Sequence, residues 1–88
     1  MHYRVVLKNR ARKMAFKMPS AQQENFDLLV QDLKRAGPVL PDWPNYSRLS
    51  ESTYHCHLSY KWVACWKHEK GTIEIEVYYA GSRENAPY

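Results

Sequence analysis

The stretch that decides the fold is TYHCHLSYKWVACW, residues 53–66. β-Branched and aromatic residues dominate it, which favours two strands over residues 54–58 and 60–66, joined by a short link at Ser59. A third strand over residues 73–79 follows, because apolar residues at 73, 75 and 77 alternate with Glu74 and Glu76. Lys70-Gly71 supplies the hairpin turn before it. The sequence therefore predicts three consecutive antiparallel strands.

The first 37 residues predict one strand and two helices. Residues 2–7 are short and rich in β-formers, whereas apolar residues at 11, 14, 15 and 18 follow helical spacing. This spacing predicts a helix over about residues 8–17, ended by Pro19. Ser20 and Gln23 form a capping-box pattern at the start of a second helix, which ends at Gly37. We expect a hairpin of two antiparallel helices.

Residues 37–50 contain three prolines, at 38, 41 and 44, which predict a stiff irregular connection without a strand. The element order is then β-α-α-β-β-β. This is an α+β fold with a curved antiparallel sheet and a helical hairpin packed on one face. Eighty-eight residues suffice for one core, so residues 1–88 are predicted to form a single domain. The core residues expected under the helices are Cys56, Leu58, Ile73, Ile75 and Val77.

The composition indicates in which compartment the protein is expected and whether it spans a membrane. No apolar run approaches the roughly 18 residues of a membrane span, and the N-terminus leads into basic residues. We therefore expect a soluble, cytoplasmic chain with no targeting segment and no membrane partner. Cys56 and Cys65 lack CxxC spacing, so a reduced pair is expected unless neighbouring strands place them opposite each other.

Positive charge is concentrated at the N-terminus. The chain has 13 Lys+Arg against 9 Asp+Glu, and no acidic residue precedes Glu24. Clustered cations attract polyanions or an acidic protein partner. A solvated helix face is the alternative explanation. The cations of the first helical region are Lys8, Arg10, Arg12, Lys13 and Lys17.

His55 and His57 are the residues that most clearly indicate a chemical function. Residues two apart on a strand share a face, and the intervening Cys56 suits the helix-covered side. Both imidazoles are then expected on the open face, where they could transfer protons. A metal site that uses His68 or Glu74 as a third ligand is a weaker alternative. Two solvated histidines without a role are the other alternative.

The C-terminal residues 81–88 follow the last strand directly. Arg83 offers a fork of donors for a phosphate, and Tyr88 can stack on a base or share a proton with a hydroxyl. Both are expected beside the histidines. Trp62 and Trp66 share one strand face and are more often core residues than surface ones.

The element order resembles a known family, as do residues 54–58 (YHCHL) and the ending VYYAGSRE with a terminal Tyr88. They are similar to the RelE/ParE superfamily of bacterial toxin–antitoxin toxins. In RelE-type members the resemblance implies ribosome-dependent cleavage of mRNA, in which a 2′-hydroxyl attacks the adjacent phosphate without metal or other cofactor. It also implies a cognate antitoxin, with the ribosome and mRNA as further partners.

When the roles of the family's residues are assigned to the matching positions of this sequence, the resemblance implies that His55 and His57 are acid/base groups. It implies further that Arg83 holds the scissile phosphate and that Tyr88 delivers a proton or stacks. One position departs from the pattern, because Val63 stands where the family has a second arginine. Two alternatives stay open: a non-catalytic RNA- or protein-binding module, and a ParE-type gyrase inhibitor. The implied RNA-binding residues are Lys8, Arg10, Arg12, Lys13, Lys17 and Lys61.

Overall fold

The computed structural model describes residues 2–88. Two helices and five strands are present in this part of the chain. The helices are α1 (Asn9–Phe16) and α2 (Ser20–Ala36). The strands are β1 (Arg4–Leu7), β2 (Ser47–Arg48), β3 (Thr53–His57), β4 (Trp62–His68) and β5 (Glu74–Ser82). A short 3₁₀ helix, Arg83–Asn85, follows β5.

The strands form one sheet in the order β1-β5-β4-β3-β2. The predicted α+β class and the helical hairpin on one face are confirmed. The expectation of a wholly antiparallel sheet is wrong at β1, which pairs parallel with β5 from Arg4↔Glu74 to Leu7↔Val77. The helices and the connection after them carry the chain to the far edge, and β5 returns alongside β1 in the same direction. The sheet is therefore mixed.

Strand β2 lies within the region predicted to contain no strand, and that prediction is wrong. Ser47 and Arg48 pair with His55 and Tyr54. The prolines end at Pro44, so the backbone N–H groups after it are free to join the sheet. β2 forms the sheet edge next to β3.

The main core lies between the helices and one face of the sheet. Ala11, Leu29 and Leu33 are fully buried there, which confirms the predicted helical faces. Trp66 is also fully buried, and its Nε1 donates to the Pro38 carbonyl oxygen at 3.0 Å. Trp66 thus ties the proline-rich connection to the sheet. Ile73, which was predicted to be a core residue, is 56% exposed because it lies before β5 begins.

The ends of α2 depart in part from the sequence pattern. Gly37 adopts φ 91° and a Cβ there would lie 2.7 Å from the Tyr3 ring, so glycine is needed for both reasons. The capping box at Ser20 does not form, because Pro19 occupies the cap position. Instead, the Gln23 side chain donates to the carbonyl oxygens of Phe16 and Met18, at 3.0 and 2.8 Å. Gln23 therefore joins the end of α1 to α2.

A second apolar cluster lies on the opposite face of the sheet. It is built from Val63, Cys65 and Tyr79. Cys56 belongs to the helix-covered core, so the two thiols point to opposite faces and are free. No helix in the described residues is long and apolar enough to cross a membrane.

Candidate active site

His55 and His57 lie side by side on the face of β3 opposite the helices. Their ring centroids are 5.8 Å apart. The shared face follows from the strand period and agrees with the sequence analysis. Their expected solvation is wrong, since each is only 8% exposed. The cover comes from the β2 region and from the C-terminal segment.

The proline-rich connection supplies a polar partner to each imidazole. Ser47 Oγ lies 2.9 Å from His55 Nδ1, and Asn45 Nδ2 lies 3.4 Å from His57 Nδ1. An amide N–H only donates, so the Asn45 contact leaves the proton of a neutral His57 on Nε2. The Ser47 hydroxyl donates or accepts and fits either tautomer of His55. Neither partner is predictable from the sequence, in which the only local signal is the Pro44-Asn45 turn.

Burial keeps the two histidines neutral. The pKa of His55 lies below its usual range, mainly because of desolvation and to a smaller extent because of the neighbouring His57. The pKa of His57 is also lowered, mainly by desolvation and to a smaller extent by the positive charge of Arg83. A neutral imidazole near neutral pH can accept a proton, which suits it to the role of a general base.

Tyr88 folds back over the histidines. Its ring centroid lies 4.3 Å from that of His55, and half of its side chain remains exposed. Ala86 packs against the second apolar cluster, which anchors this segment to the sheet. Burial raises the pKa of the Tyr88 phenol. Tyr88 therefore keeps its proton at neutral pH and can donate it.

Arg83 lies at the start of the 3₁₀ helix, on the side of His57. Its backbone N–H donates to the Lys61 carbonyl oxygen at 2.8 Å, which places Arg83 beside the turn between β3 and β4. Val63 is fully buried and pairs with His57 across the strands. The position where the resemblance implies a second arginine is thus an apolar contact in this chain.

The six predicted RNA-binding cations are exposed, and those that line a groove belong to three different ones, with Lys61 in the groove beside Arg83. Lys8 and Arg10 border a groove shared with Asn85 and Pro87, next to the C-terminal segment. Arg12 lines a different groove, with Leu7 and Phe16, and its guanidinium donates to Asn9 Oδ1 at 2.6 Å. Within residues 2–88 none of the six forms a salt bridge, so their charges are available to a partner.

The third ligands of the alternative metal site have other partners. His68 Nε2 lies 2.8 Å from the Thr72 carbonyl oxygen, and Glu74 pairs with Arg4 at 3.9 Å. In the part of the chain that the structure describes, no three His, Cys, Asp or Glu side chains gather into a possible metal site. Trp66 lies in the core and Trp62 is partly buried against it, while Val63 and Cys65 on the other face are buried as well.

Solved structures share this architecture. The archaeal RelE–RelB complex from Pyrococcus horikoshii OT3 superimposes with a TM-score of 0.77 at 18% identity, covering 98% of this chain and 100% of that one. This chain has the RelE fold. A mutant of the E. coli toxin RelE in the free state gives a TM-score of 0.76 at 17% identity, covering 98% and 88% of the two chains.

The likeness extends to a further toxin structure. The YoeB dimer from Staphylococcus aureus gives a TM-score of 0.72 at 9% identity and covers 92% of this chain and 97% of that one. No protein-family model matches the sequence, and no curated protein matches it. At these identities the comparisons establish the RelE-like fold, and the activity has to be argued from the site.

Proposed function

We propose that residues 1–88 form one RelE-like toxin domain that acts in the cytoplasm as a metal-independent endoribonuclease. Its substrate is mRNA on the ribosome, and a cognate antitoxin neutralises it. The observation that carries the proposal is the grouping of His55, His57 and Tyr88 on one sheet face, with Arg83 at its end. The RelE-like fold supports it.

The proposed reaction is transesterification of RNA. A neutral imidazole of the His55/His57 pair removes the proton of the 2′-hydroxyl, whose oxygen then attacks the adjacent phosphorus. The bond from phosphorus to the 5′-oxygen breaks, and Tyr88, which keeps its proton at neutral pH, protonates that oxygen. Arg83 stabilises the negative charge that develops on the phosphoryl oxygens. Every step uses side chains of this chain, and no cofactor enters.

The proposed partners follow from exposed charge and apolar surface. The unpaired cations of α1 suit ribosomal RNA, whose phosphates they would neutralise. The same helix exposes 72% of Phe16, an apolar surface that suits a protein partner such as an antitoxin. The RelE in the Pyrococcus complex is bound to RelB.

Val63 favours a second candidate function. A buried valine opposite His57 contributes no charge to a transition state. A chain that kept the fold and its cations but lost the chemistry would be a non-catalytic RNA- or protein-binding module. This candidate predicts ribosome or RNA binding without cleavage.

Induction in a bacterial host tests the proposal, with primer extension on a reporter mRNA and a cleavage assay on purified ribosomes. Wild type should arrest growth and cut ribosome-bound message. Arg83→Ala should lower the cleavage rate by roughly 10²–10³, because a fixed cation at the reacting phosphate is lost. His55→Ala and His57→Ala should each lower it by roughly 10²–10⁴. Lys34→Ala, an exposed change on α2, is the matched control.

Two results would contradict the proposal. Wild type that binds ribosomes but cuts nothing would establish the non-catalytic module. Cleavage that persists in both histidine variants would remove the proton-transfer roles of His55 and His57. Treating the protein with EDTA, and removing the EDTA before ribosomes are added, should leave cleavage unchanged, since no step uses a metal bound to the protein.

A further inference from the structure

A groove separate from the histidine cluster opens where the turn between β3 and β4 meets the 3₁₀ helix. Two aromatic side chains, two cations and one carboxylate line it together with a serine. The lining residues are Tyr60, Lys61, Trp62, Ser82, Arg83 and Glu84. Only Arg83 has a role in the proposed reaction, so the other side chains are unexplained by it.

Tyr60 is the most exposed large side chain of the groove. It is 76% exposed at a tight turn, which the Leu58 N–H closes by donating to the Trp62 carbonyl oxygen at 2.8 Å. The Arg83 guanidinium lies over its ring, 5.4 Å from the centroid. The turn and this contact hold an aromatic face at a fixed place on the surface without burying it.

The charged side chains of the groove form no ion pair within the described part of the chain. Among residues 2–88, Lys61, Arg83 and Glu84 form no salt bridge, although they line the same groove. An aromatic ring beside unpaired cations is the arrangement by which proteins bind unpaired nucleotides, since the ring stacks on a base and the cations bind phosphate. The Glu84 carboxylate repels phosphate and accepts N–H groups of a base edge. The cations and the carboxylate therefore prefer different parts of a nucleotide.

We propose that this groove binds one nucleotide of a single-stranded RNA. The base stacks on Tyr60, its edge donates to Glu84, and its phosphate lies between the side chains of Lys61 and Arg83. The proposal rests on the proposed function in one respect: because Arg83 belongs to both sites, the bound nucleotide would adjoin the one that is cleaved. Tyr60 is thus assigned as a substrate-positioning residue.

The test measures binding to a single-stranded 2′-O-methyl pentanucleotide with 2-aminopurine at its centre. This probe has no free 2′-hydroxyl and cannot be cleaved by the proposed reaction. Stacking of 2-aminopurine on an aromatic ring quenches its fluorescence, so wild type should quench it on binding. Tyr60→Ala should weaken binding about 5- to 150-fold, the range expected from loss of one base–aromatic stack. Tyr60→Phe should bind within about twofold of wild type.

Leu28→Ala is the matched control, because Leu28 is an exposed apolar residue of α2 and lies outside the groove. Equal binding by wild type and Tyr60→Ala would overturn the proposal, as would equal losses in Tyr60→Ala and Leu28→Ala. Competition by free AMP as strong as by an unlabelled pentanucleotide would overturn the assignment to an RNA strand.

The binding assay contains no ribosomes and needs no cleavage, so it separates the two proposals. If the protein cuts no message but binds the probe in a Tyr60-dependent way, the nuclease proposal is refuted and the groove remains an RNA-binding site. If the protein cuts message but Tyr60→Ala binds the probe as well as wild type does, only the groove proposal is refuted.

Discussion

Trp66→Phe should weaken both the fold and the support of the histidines. Trp66 is fully buried, stacks on Tyr54 with ring centroids 6.1 Å apart, and donates to the buried Pro38 carbonyl oxygen. Phenylalanine keeps an aromatic ring at this place but has no N–H. The change therefore tests how strongly the sheet holds the proline-rich connection.

The expected loss in the free energy of unfolding is the sum of two contributions. Leaving the Pro38 carbonyl unpaired in the core costs about 1–3 kcal/mol. The smaller ring leaves part of the indole volume empty, which costs about 1–2 kcal/mol on the scale of large-to-small core changes. The free energy of unfolding should fall by about 2–5 kcal/mol. In a domain of this size, that lowers Tm by at least about 8 °C.

Urea unfolding followed by circular dichroism measures this change without relying on tryptophan fluorescence. Trp62→Phe is the control, since Trp62 is only partly buried and should lose less than about 1 kcal/mol. A loss below about 1 kcal/mol in Trp66→Phe would refute the reasoning. A folded Trp66→Phe should also show broadened or shifted NMR signals for His55 and His57, because the same connection carries Ser47 and Asn45.

Three further predictions follow from burial. Leu33→Ala should cost about 2–5 kcal/mol in chemical denaturation, because Leu33 is fully buried under the sheet; a loss under about half a kcal/mol would contradict this placement. Burial lowers the pKa of His55 and His57, so the unfolded chain binds more protons below their ordinary value of 6.5. The free energy of unfolding should therefore fall as the pH drops below about 6.5, and replacing both histidines by glutamine should flatten that dependence. Burial raises the pKa of Cys56 and Cys65 to about 12, so thiol reagents at pH 8 should react slowly with the native protein and rapidly in urea.

The helices and the later strands could be predicted from sequence because their signals are local. The periodic burial of Ala11, Ala15 and Leu33 needs only the helical repeat, and the faces of β3 need only the strand repeat. The parallel direction of β1 has no local signal, since it depends on where the chain returns after the helices. Two residues of β2 are too short for any pattern, and the proline content around them favours a loop.

The candidate site was only partly predictable for the same reason. The common face of His55 and His57 follows from their spacing, but their burial depends on Ser47 and Tyr88, which approach from distant parts of the chain. The sequence predicts only that Arg83 lies near the histidines. Its stacking on Tyr60 depends on a turn and a helix end that meet only in the folded chain.

The parallel pairing of β1 with β5 has a consequence for how the protein is made. Arg4 pairs with Glu74, a partner 70 positions later in the chain. Pairings of such long range close late in folding, because their loop entropy is lost before their contacts form. During synthesis β1 therefore has no partner until β5 has left the ribosome. The groups proposed for catalysis also include Arg83 and Tyr88, which come later still. A nascent chain would therefore lack the full set of groups proposed for catalysis, and its first strand would stay unpaired, until residues 74–88 had emerged.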